Sequence, residues 1–305
     1  MKYHDPLKQI LSLAMPHWDR DESRPAARWA FGRATQCRTD LLGAEVYAFE
    51  GEEKIVPHTC KSRSCSSCGR RASLQWRRER RAALPAVAYK GMTFTMPDVL
   101  WPFFRDNPAL LKALPALAAT VIQVRIGAKH ALRLGVIAIP HTFNGKLEFN
   151  AHVHTMVTAG GLDGNVWLPS VYYDRDRLIR AWRRGVIRLL REALRLGQLR
   201  TDLNVNQVEE LLTLQENRWW SVRIQSFASQ EHFLEYAGRY VRRPPIAQRR
   251  ITQITNQTVT FWYNDKRLHR RVYVPCSLEE FWDRWAQHVP ERYQHAVRNF
   301  GLFGP

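Results

Sequence analysis

Three cysteines fall within nine residues, in the run Cys60-Lys61-Ser62-Arg63-Ser64-Cys65-Ser66-Ser67-Cys68, and a fourth, Cys37, stands upstream of them. Two thiolates separated by two residues bind one tetrahedral Zn²⁺ through a tight turn, and Cys60 is near enough in the chain to join them. Cys37 or His58 would complete four ligands. A closed set of four would be structural rather than catalytic. The fifth cysteine, Cys276, makes the count odd, and Met1-Lys2-Tyr3-His4-Asp5 lacks the apolar stretch of a secretion signal. Both points argue against a disulfide scaffold. The basic residues Lys61, Arg63, Arg70 and Arg71 around the cysteines suggest contact with nucleic acid.

Charge points the same way. The 305 residues include 46 Lys and Arg against 28 Asp and Glu, a formal net charge of +18, which favours a polyanionic partner. A hydrophobic content of 45% with 11 Trp is that of a folded protein. No run approaches the ~18 apolar residues of a membrane span, and no Lys-rich amphipathic segment or lipidation motif suggests a membrane surface. A cytoplasmic location is expected. Neither G-x-G-x-x-G nor a Walker A loop is present, which excludes an ATP-driven motor of the usual kind.

Along the chain, Leu7 to Met15 reads as a short helix, 36–70 as loop-rich, Arg70 to Arg81 as a basic helix and Met92 to Met96 as a strand. Leu110 to Leu134 has helical periodicity. Gly135 to Ile139 and Leu147 to Thr158 read as strands joined through Asn144-Gly145, a hairpin signal because both residues tolerate positive φ. Asp176 to Leu196 is an Arg-rich amphipathic helix. Residues 197–217 are poorly patterned. A strand from Trp219 to Phe227 leads to a helix capped by Ser229 and ended by Pro244-Pro245. Three strands follow (Arg250–Thr255, Thr258–Tyr263 and Leu268–Val274), and Ser277-Leu278-Glu279-Glu280 is a capping-box start for a last helix. The pattern predicts an α+β protein with a small zinc-binding, DNA-contacting module over 1–85 and a larger domain over 86–305.

Two further constellations carry chemistry. In the strand from Leu147, alternation puts Glu148, Asn150, His152 and His154 on one face. Two imidazoles about 6–7 Å apart on one strand can share a metal ion and leave coordination positions open. Taken alone, a His-x-His pair is most often an ordinary surface or core feature. In Glu235-Tyr236-Ala237-Gly238-Arg239-Tyr240-Val241-Arg242-Arg243, the tyrosines are i and i+4 and neighbours on one helical face. An aromatic core stripe would look the same, but Arg239, Arg242 and Arg243 beside them fit phosphate contact. A tyrosine attacking phosphorus would form a phosphotyrosine and conserve the bond energy for rejoining strands.

The order of these signals is more specific than any one of them. A cysteine cluster, then His152-Val153-His154 followed by Gly160-Gly161, then Tyr236-Ala237-Gly238-Arg239-Tyr240 and Asn299-Phe300-Gly301-Leu302-Phe303, resembles the insertion sequence 91 type of rolling-circle transposase, a two-tyrosine branch of the HUH nucleases. The resemblance runs from about Cys37 to the end. It implies an antiparallel HUH-nuclease sheet packed with helices, preceded by the zinc module, with Cys37, Cys60, Cys65 and Cys68 as zinc ligands in preference to His58. It also implies Mg²⁺ or Mn²⁺ on His152 and His154, with a third polar ligand among Glu148, Asn150 and Gln230. Tyr236 and Tyr240 would be nucleophiles that nick single-stranded DNA at element-end hairpins, form a 5′-phosphotyrosine and transfer strands to target DNA. A rolling-circle initiator or relaxase would share this chemistry. A zinc-containing protein that only binds DNA would carry the same charge but need neither the tyrosines nor the histidines. Relatives often bear another C-x-x-C before the cluster, where Tyr47-Ala48-Phe49-Glu50-Gly51 stands here.

Overall fold

A computed structural model describes residues 5–18, 24–265, 267–291, 294–295 and 297–304. Helices α1 (Pro6–Leu13), α2 (Met15–Trp18) and α3 (Pro25–Thr35) precede a hairpin of β1 (Ala44–Phe49) and β2 (Glu52–Pro57) and the basic helix α4 (Ser66–Ala83). Then come β3 (Tyr89–Thr95), α5 (Trp101–Asp106), α6 (Pro108–Ile122), β4 (Gly135–Phe143), β5 (Phe149–Thr158) and the short pair β6 (Gly161–Asp163) and β7 (Val166–Leu168). Helices α7 (Arg175–Arg195) and α8 (Val205–Glu216), strand β8 (Val222–Phe227) and helix α9 (Gln230–Ala237) follow. The chain ends with β9 (Ile251–Ile254), β10 (Thr258–Asp265), β11 (Arg270–Ser277), α10 (Leu278–Ala286) and β12 (Arg298–Gly301).

These elements pack as two compact units that do not follow chain order: 1–75, 143–149 and 242–294 in one, 76–142, 150–241 and 295–305 in the other. Division by packing therefore cuts the chain differently from the expected boundary near residue 85, because the three-stranded sheet β9-β10-β11 and α10 fold back onto the cysteine module.

The first unit buries Leu7, Ile10 and Leu11 of α1 with Phe31 of α3, Phe261 of β10 and Trp282 and Trp285 of α10. Phe31 meets Trp282 edge to face at 4.1 Å. The Asn144-Gly145 turn belongs here too: a Cβ on Gly145 would come within 3.0 Å of the Tyr263 ring. Buried Arg250 donates from Nε to Trp262 O at 2.6 Å and also reaches Gly145 O, which fixes the turn on the sheet.

In the second unit a five-stranded sheet runs β12-β4-β5-β3-β8, with β3 antiparallel to both β5 and β8. Alternation along β3 gives the sheet two unlike faces. Phe94 points back and packs on Trp182 of α7, whose Nε1 donates to Thr95 O at 2.9 Å. Tyr89 and Gly91 point forward under α9, where Tyr89 stacks on Phe233 at 4.0 Å.

Several expectations are corrected. The helix over 110–134 ends at Ile122 and continues as a π turn, Gln123–Gly127, and a short 3₁₀ segment to His130. Its stretch Pro108–His130 is long and apolar enough by length and composition to cross a membrane, an exception to the expectation above, although Leu114, Ala118, Ala119 and Ile122 are buried core residues. Residues 197–217 hold α8, which starts with a capping box between Asn204 and Gln207. The loop-rich 36–70 contains the hairpin β1–β2, whose residues are almost all exposed and so give no apolar alternation to read.

Candidate functional site

Two clusters of ligand-type side chains form, one in each unit. In the first, Cys65 and Cys68 lie at the start of α4, one turn apart, and Cys60 precedes them. Cys37 arrives from the turn after α3, where it joins the same buried core. All four are buried, and their sulfurs lie within 4.8 Å of one another. Cys37 Sγ is 3.5 Å from Cys68 Sγ, and Cys60 Sγ is 3.6 Å from it. Four sulfurs each ~2.3 Å from one ion at tetrahedral angles stand about 3.8 Å apart, so the set fits Zn²⁺. His58 is outside it: its Nδ1 meets Leu42 O at 3.0 Å, and the half-exposed ring faces Glu45. Cys276 is buried beside Val259, which pushes its thiol up to about 11, and no disulfide joins any of the five.

The basic residues named with this motif divide by exposure. Lys61, Arg70 and Arg71 are exposed, and Arg63 is half-buried. Burial, with the like charge of Arg242 adding to it, pulls the Arg63 guanidinium down to about 10. Gly69 explains the approach of the two segments. A Cβ there would lie 2.6 Å from Arg63 O and 2.9 Å from Arg242 O. Arg243 is exposed with its guanidinium 5.9 Å from the Phe143 ring centre.

The second cluster sits on the front of the five-stranded sheet. His152 and His154 share the front face of β5, with Nε2 atoms 3.1 Å apart. Two nitrogens held ~2.1 Å from one ion at a right angle stand about 3 Å apart, so this pair is spaced for a shared ion. The third member is His141 of β4, which sequence reading missed. One ring nitrogen from each of the three lies within 4.8 Å of the others.

Each ring is tied by its other nitrogen. His152 Nδ1 meets Asn150 O at 2.8 Å, His141 Nε2 meets Tyr240 O at 2.8 Å, and His154 Nδ1 meets Thr93 Oγ1 at 3.2 Å. A carbonyl only accepts, so the first two nitrogens carry protons, and in the neutral ring the remaining nitrogen is the one that can bind a metal. The residues therefore fit a divalent ion held by three neutral imidazoles, a donor set softer than Mg²⁺ prefers.

The other candidates for a third ligand are placed elsewhere. Glu148 is exposed at the hairpin and accepts from Asn144 Nδ2. Gln230 donates to Leu84 O at 2.6 Å. Asn150 serves through its backbone carbonyl.

Both tyrosines reach this cluster, by different routes. Helix α9 ends at Ala237, and Tyr240 lies in the turn beyond it, its N–H donating to Ala237 O at 2.9 Å. The i, i+4 pair on one helix is thus corrected to one helical and one turn residue. The turn lays the Tyr240 ring on His154, 3.7 Å between centroids and 27° from parallel. Tyr236 sits 4.8 Å from Tyr240 and packs on Gly91, where a Cβ would come within 2.7 Å of its ring. Burial pushes the Tyr236 phenol above its ordinary range, with Tyr240 adding to that, while Thr93 and Arg223 act to lower it. Arg239 is exposed in the same turn. The arrangement brings two phenols and three imidazoles together on the front of the sheet, with Arg239 exposed in the same turn as Tyr240, groups that a phosphoryl transfer through tyrosine can use.

Comparison with known proteins gives matches over both regions. A family model described as "Transposase zinc-binding domain" matches residues 10–96, and one described as "Putative transposase" matches residues 135–304. The chain is 31% identical over 282 residues to the "Transposase for insertion sequence element IS801" of Pseudomonas savastanoi pv. phaseolicola, covering 87% of this chain and 67% of that protein. It is 30% identical over 286 residues to the "Putative transposase y4qJ" of Sinorhizobium fredii, covering 88% and 72%. No solved structure is significantly similar.

Proposed function

Because this chain belongs to the insertion sequence 91 type transposases, with an N-terminal zinc-binding domain, we propose that it nicks single-stranded DNA at element ends through a 5′-phosphotyrosine and transfers the strand. The observation that carries this reading is the Tyr240 ring stacked on His154, with Tyr236 beside it and three imidazoles converging.

In this reading His141, His152 and His154 hold a divalent ion, Mn²⁺ fitting their nitrogen donors better than Mg²⁺. When bound, the ion polarises the scissile phosphate. Tyr240 or Tyr236 gives up its phenolic proton and its oxygen bonds to phosphorus. The bond from phosphorus to the 3′-oxygen breaks, and that oxygen takes a proton to become a free 3′-OH. A second 3′-OH attacking the phosphotyrosine reverses these steps and releases the tyrosine. The second tyrosine takes the other strand. Asn150 O and Thr93 hold the imidazoles in register, and Arg239 contacts phosphate. Cys37, Cys60, Cys65 and Cys68 hold the structural zinc. Residues 1–85 act as the zinc-binding module, with Lys61, Arg63, Arg70 and Arg71 on DNA, joined by Arg242 and Arg243. Residues 86–305 carry the chemistry, working in the cytoplasm on element-end hairpins and target DNA.

The test is a denaturing gel of the protein with Mn²⁺ and end-labelled single strands covering the element ends. A covalent protein–DNA band is expected, lost in the Tyr236→Phe, Tyr240→Phe double variant and in His152→Ala. Tight binding with no adduct on any end sequence would overturn the nuclease reading in favour of a protein that only binds DNA.

A further inference from the structure

Helix α7 carries eight arginines in 21 residues, with no lysine and only Asp176 and Glu192 as acids. Six of them, Arg177, Arg180, Arg184, Arg188, Arg191 and Arg195, recur at steps of three and four. At 3.6 residues per turn they fall within an arc of about 80° and form a straight stripe about 27 Å long. The stripe lies opposite the buried face of the helix, Leu178, Trp182, Val186, Leu190 and Ala193.

The two ends of the stripe are neutralised. Arg177 pairs with Asp174, Arg195 with Glu192, and Arg191 with Glu209 and Glu216 of α8. The middle is not: Arg180, Arg184 and Arg188 are exposed and form no close ion pair among the described residues, Arg180 acting on Asp174 only from a longer range. A groove of about 510 Å³ runs along Arg184, Arg188 and Arg191 between α7 and α8. Like charges at i, i+4 oppose helix formation, and folding alone does not call for them, since an exposed helical face is as well served by mixed charges. An anion seated along the stripe relieves that repulsion.

Its position sets it apart from the histidine–tyrosine cluster. Thr93 and His154 pair across strands and face forward, whereas Phe94 faces back onto Trp182 of α7. The stripe is therefore on the far side of a helix that itself covers the back of the sheet.

We propose that the arginine stripe of α7 is a second DNA-binding surface, which holds the phosphate backbone of a segment other than the one at the tyrosines. The inference rests on the reading of this chain as a DNA transposase. A straight row of guanidinia fits a regular row of phosphates and reads no base, so the surface is sequence-independent.

The test titrates the full chain and its Arg180→Gln, Arg184→Gln, Arg188→Gln variant with a labelled duplex of about 20 base pairs and with oligo(dT) of similar length, from about 50 to 200 mM salt. On the DNA form that the stripe holds, the log–log salt slope is expected to fall by about 2 to 3 and the affinity by at least about tenfold. The covalent adduct with a short element-end strand is expected to persist. Unchanged slopes on both DNA forms overturn the proposal. If the triple variant misfolds, Arg184→Lys and Arg184→Glu decide instead: weaker binding by the Glu variant alone supports the stripe, and equal binding overturns it. Failure of the nuclease reading looks different, as an absent adduct in the unaltered protein with the slope change intact.

Discussion

The cysteine cluster and the histidine cluster both gather ligand-type side chains from separate elements, but they are built for opposite purposes. Four sulfurs fill a tetrahedral set, all are buried, and they share a core with Phe31 and Trp285. Nothing further can reach a metal there, so its binding energy goes into folding. Three imidazoles leave positions open, His152 is only half-buried, and a tyrosine ring lies against His154. A closed set stabilises; an open set beside a tyrosine leaves room for a substrate.

The sharpest way to break this contrast is to remove metal from each side. Cys65→Ser, or a strong chelator, should release one equivalent of zinc and unfold the first unit, since structural zinc contributes on the order of 10 kcal/mol or more. Metal analysis together with thermal unfolding reads this, and Cys276→Ser should keep the zinc. If the serine variant melts like the parent, the cysteines are not a structural centre. On the other side, His141→Ala should lower Mn²⁺ affinity more than tenfold and the adduct with it, while zinc content and melting stay close to the parent's. Unaltered Mn²⁺ binding by calorimetry would remove His141 from the site.

A third prediction separates reactive geometry from stability. Gly91→Ala puts a Cβ against the Tyr236 ring at 2.7 Å, so the ring must move. Displacements near 1 Å cost roughly 10²-fold in rate. Single-turnover adduct formation in the Tyr240→Phe background should fall by about that factor while melting changes little, and an undiminished rate would show that Tyr236 does not act from its place over Gly91.

A fourth prediction concerns a histidine outside the cluster. His288 is buried in the first unit, with its Nε2 3.0 Å from Leu147 O, and burial pulls its pKa down to about 4. Its folded pKa lies below its unfolded value near 6.5, so the neutral ring stabilises fully above pH 6.5. That stability is lost as pH falls towards 4, roughly 3 kcal/mol in all. Urea unfolding followed over this range should show the loss, and His288→Gln should remove most of it. A pH dependence that survives the substitution would place the titrating group elsewhere.

How far the sequence could be read depended on whether a signal was local. The hairpin between β4 and β5, the Ser229 and Ser277 caps and the front face of β5 are set by a few adjacent residues and stand in the structure where the pattern put them, although the positive φ of that hairpin falls on Leu147 rather than on Asn144 or Gly145 and β5 starts only at Phe149. Helix α8 was missed although Asn204 and Gln207 spell its cap, because its apolar residues are too sparse to mark a face. His141 was missed because Pro140 reads as a strand end. Strand β12 covers β4 only from Gly135 to Ala138, so Pro140 lies past its neighbour, where a missing N–H costs no ladder bond, and the strand runs on to Phe143. The signal was there in Pro140-His141 followed by a hairpin turn.

The sequence by itself determined the kinds of donor and their local directions: thiolates one helical turn apart, imidazoles on one side of a pleat, arginines along one side of α7. Backbone periodicity sets those directions within a single element. Spacing alone left Cys37 and His58 open for the thiolate set, with the resemblance favouring Cys37, and the packing brings Cys37 in; only the tertiary structure decided that His141 joins from the adjacent strand and that Tyr240 turns off the end of its helix onto His154. Those partners are chosen by how separate elements bury their apolar faces against one another, and that is a property of the whole packed chain rather than of any stretch of it.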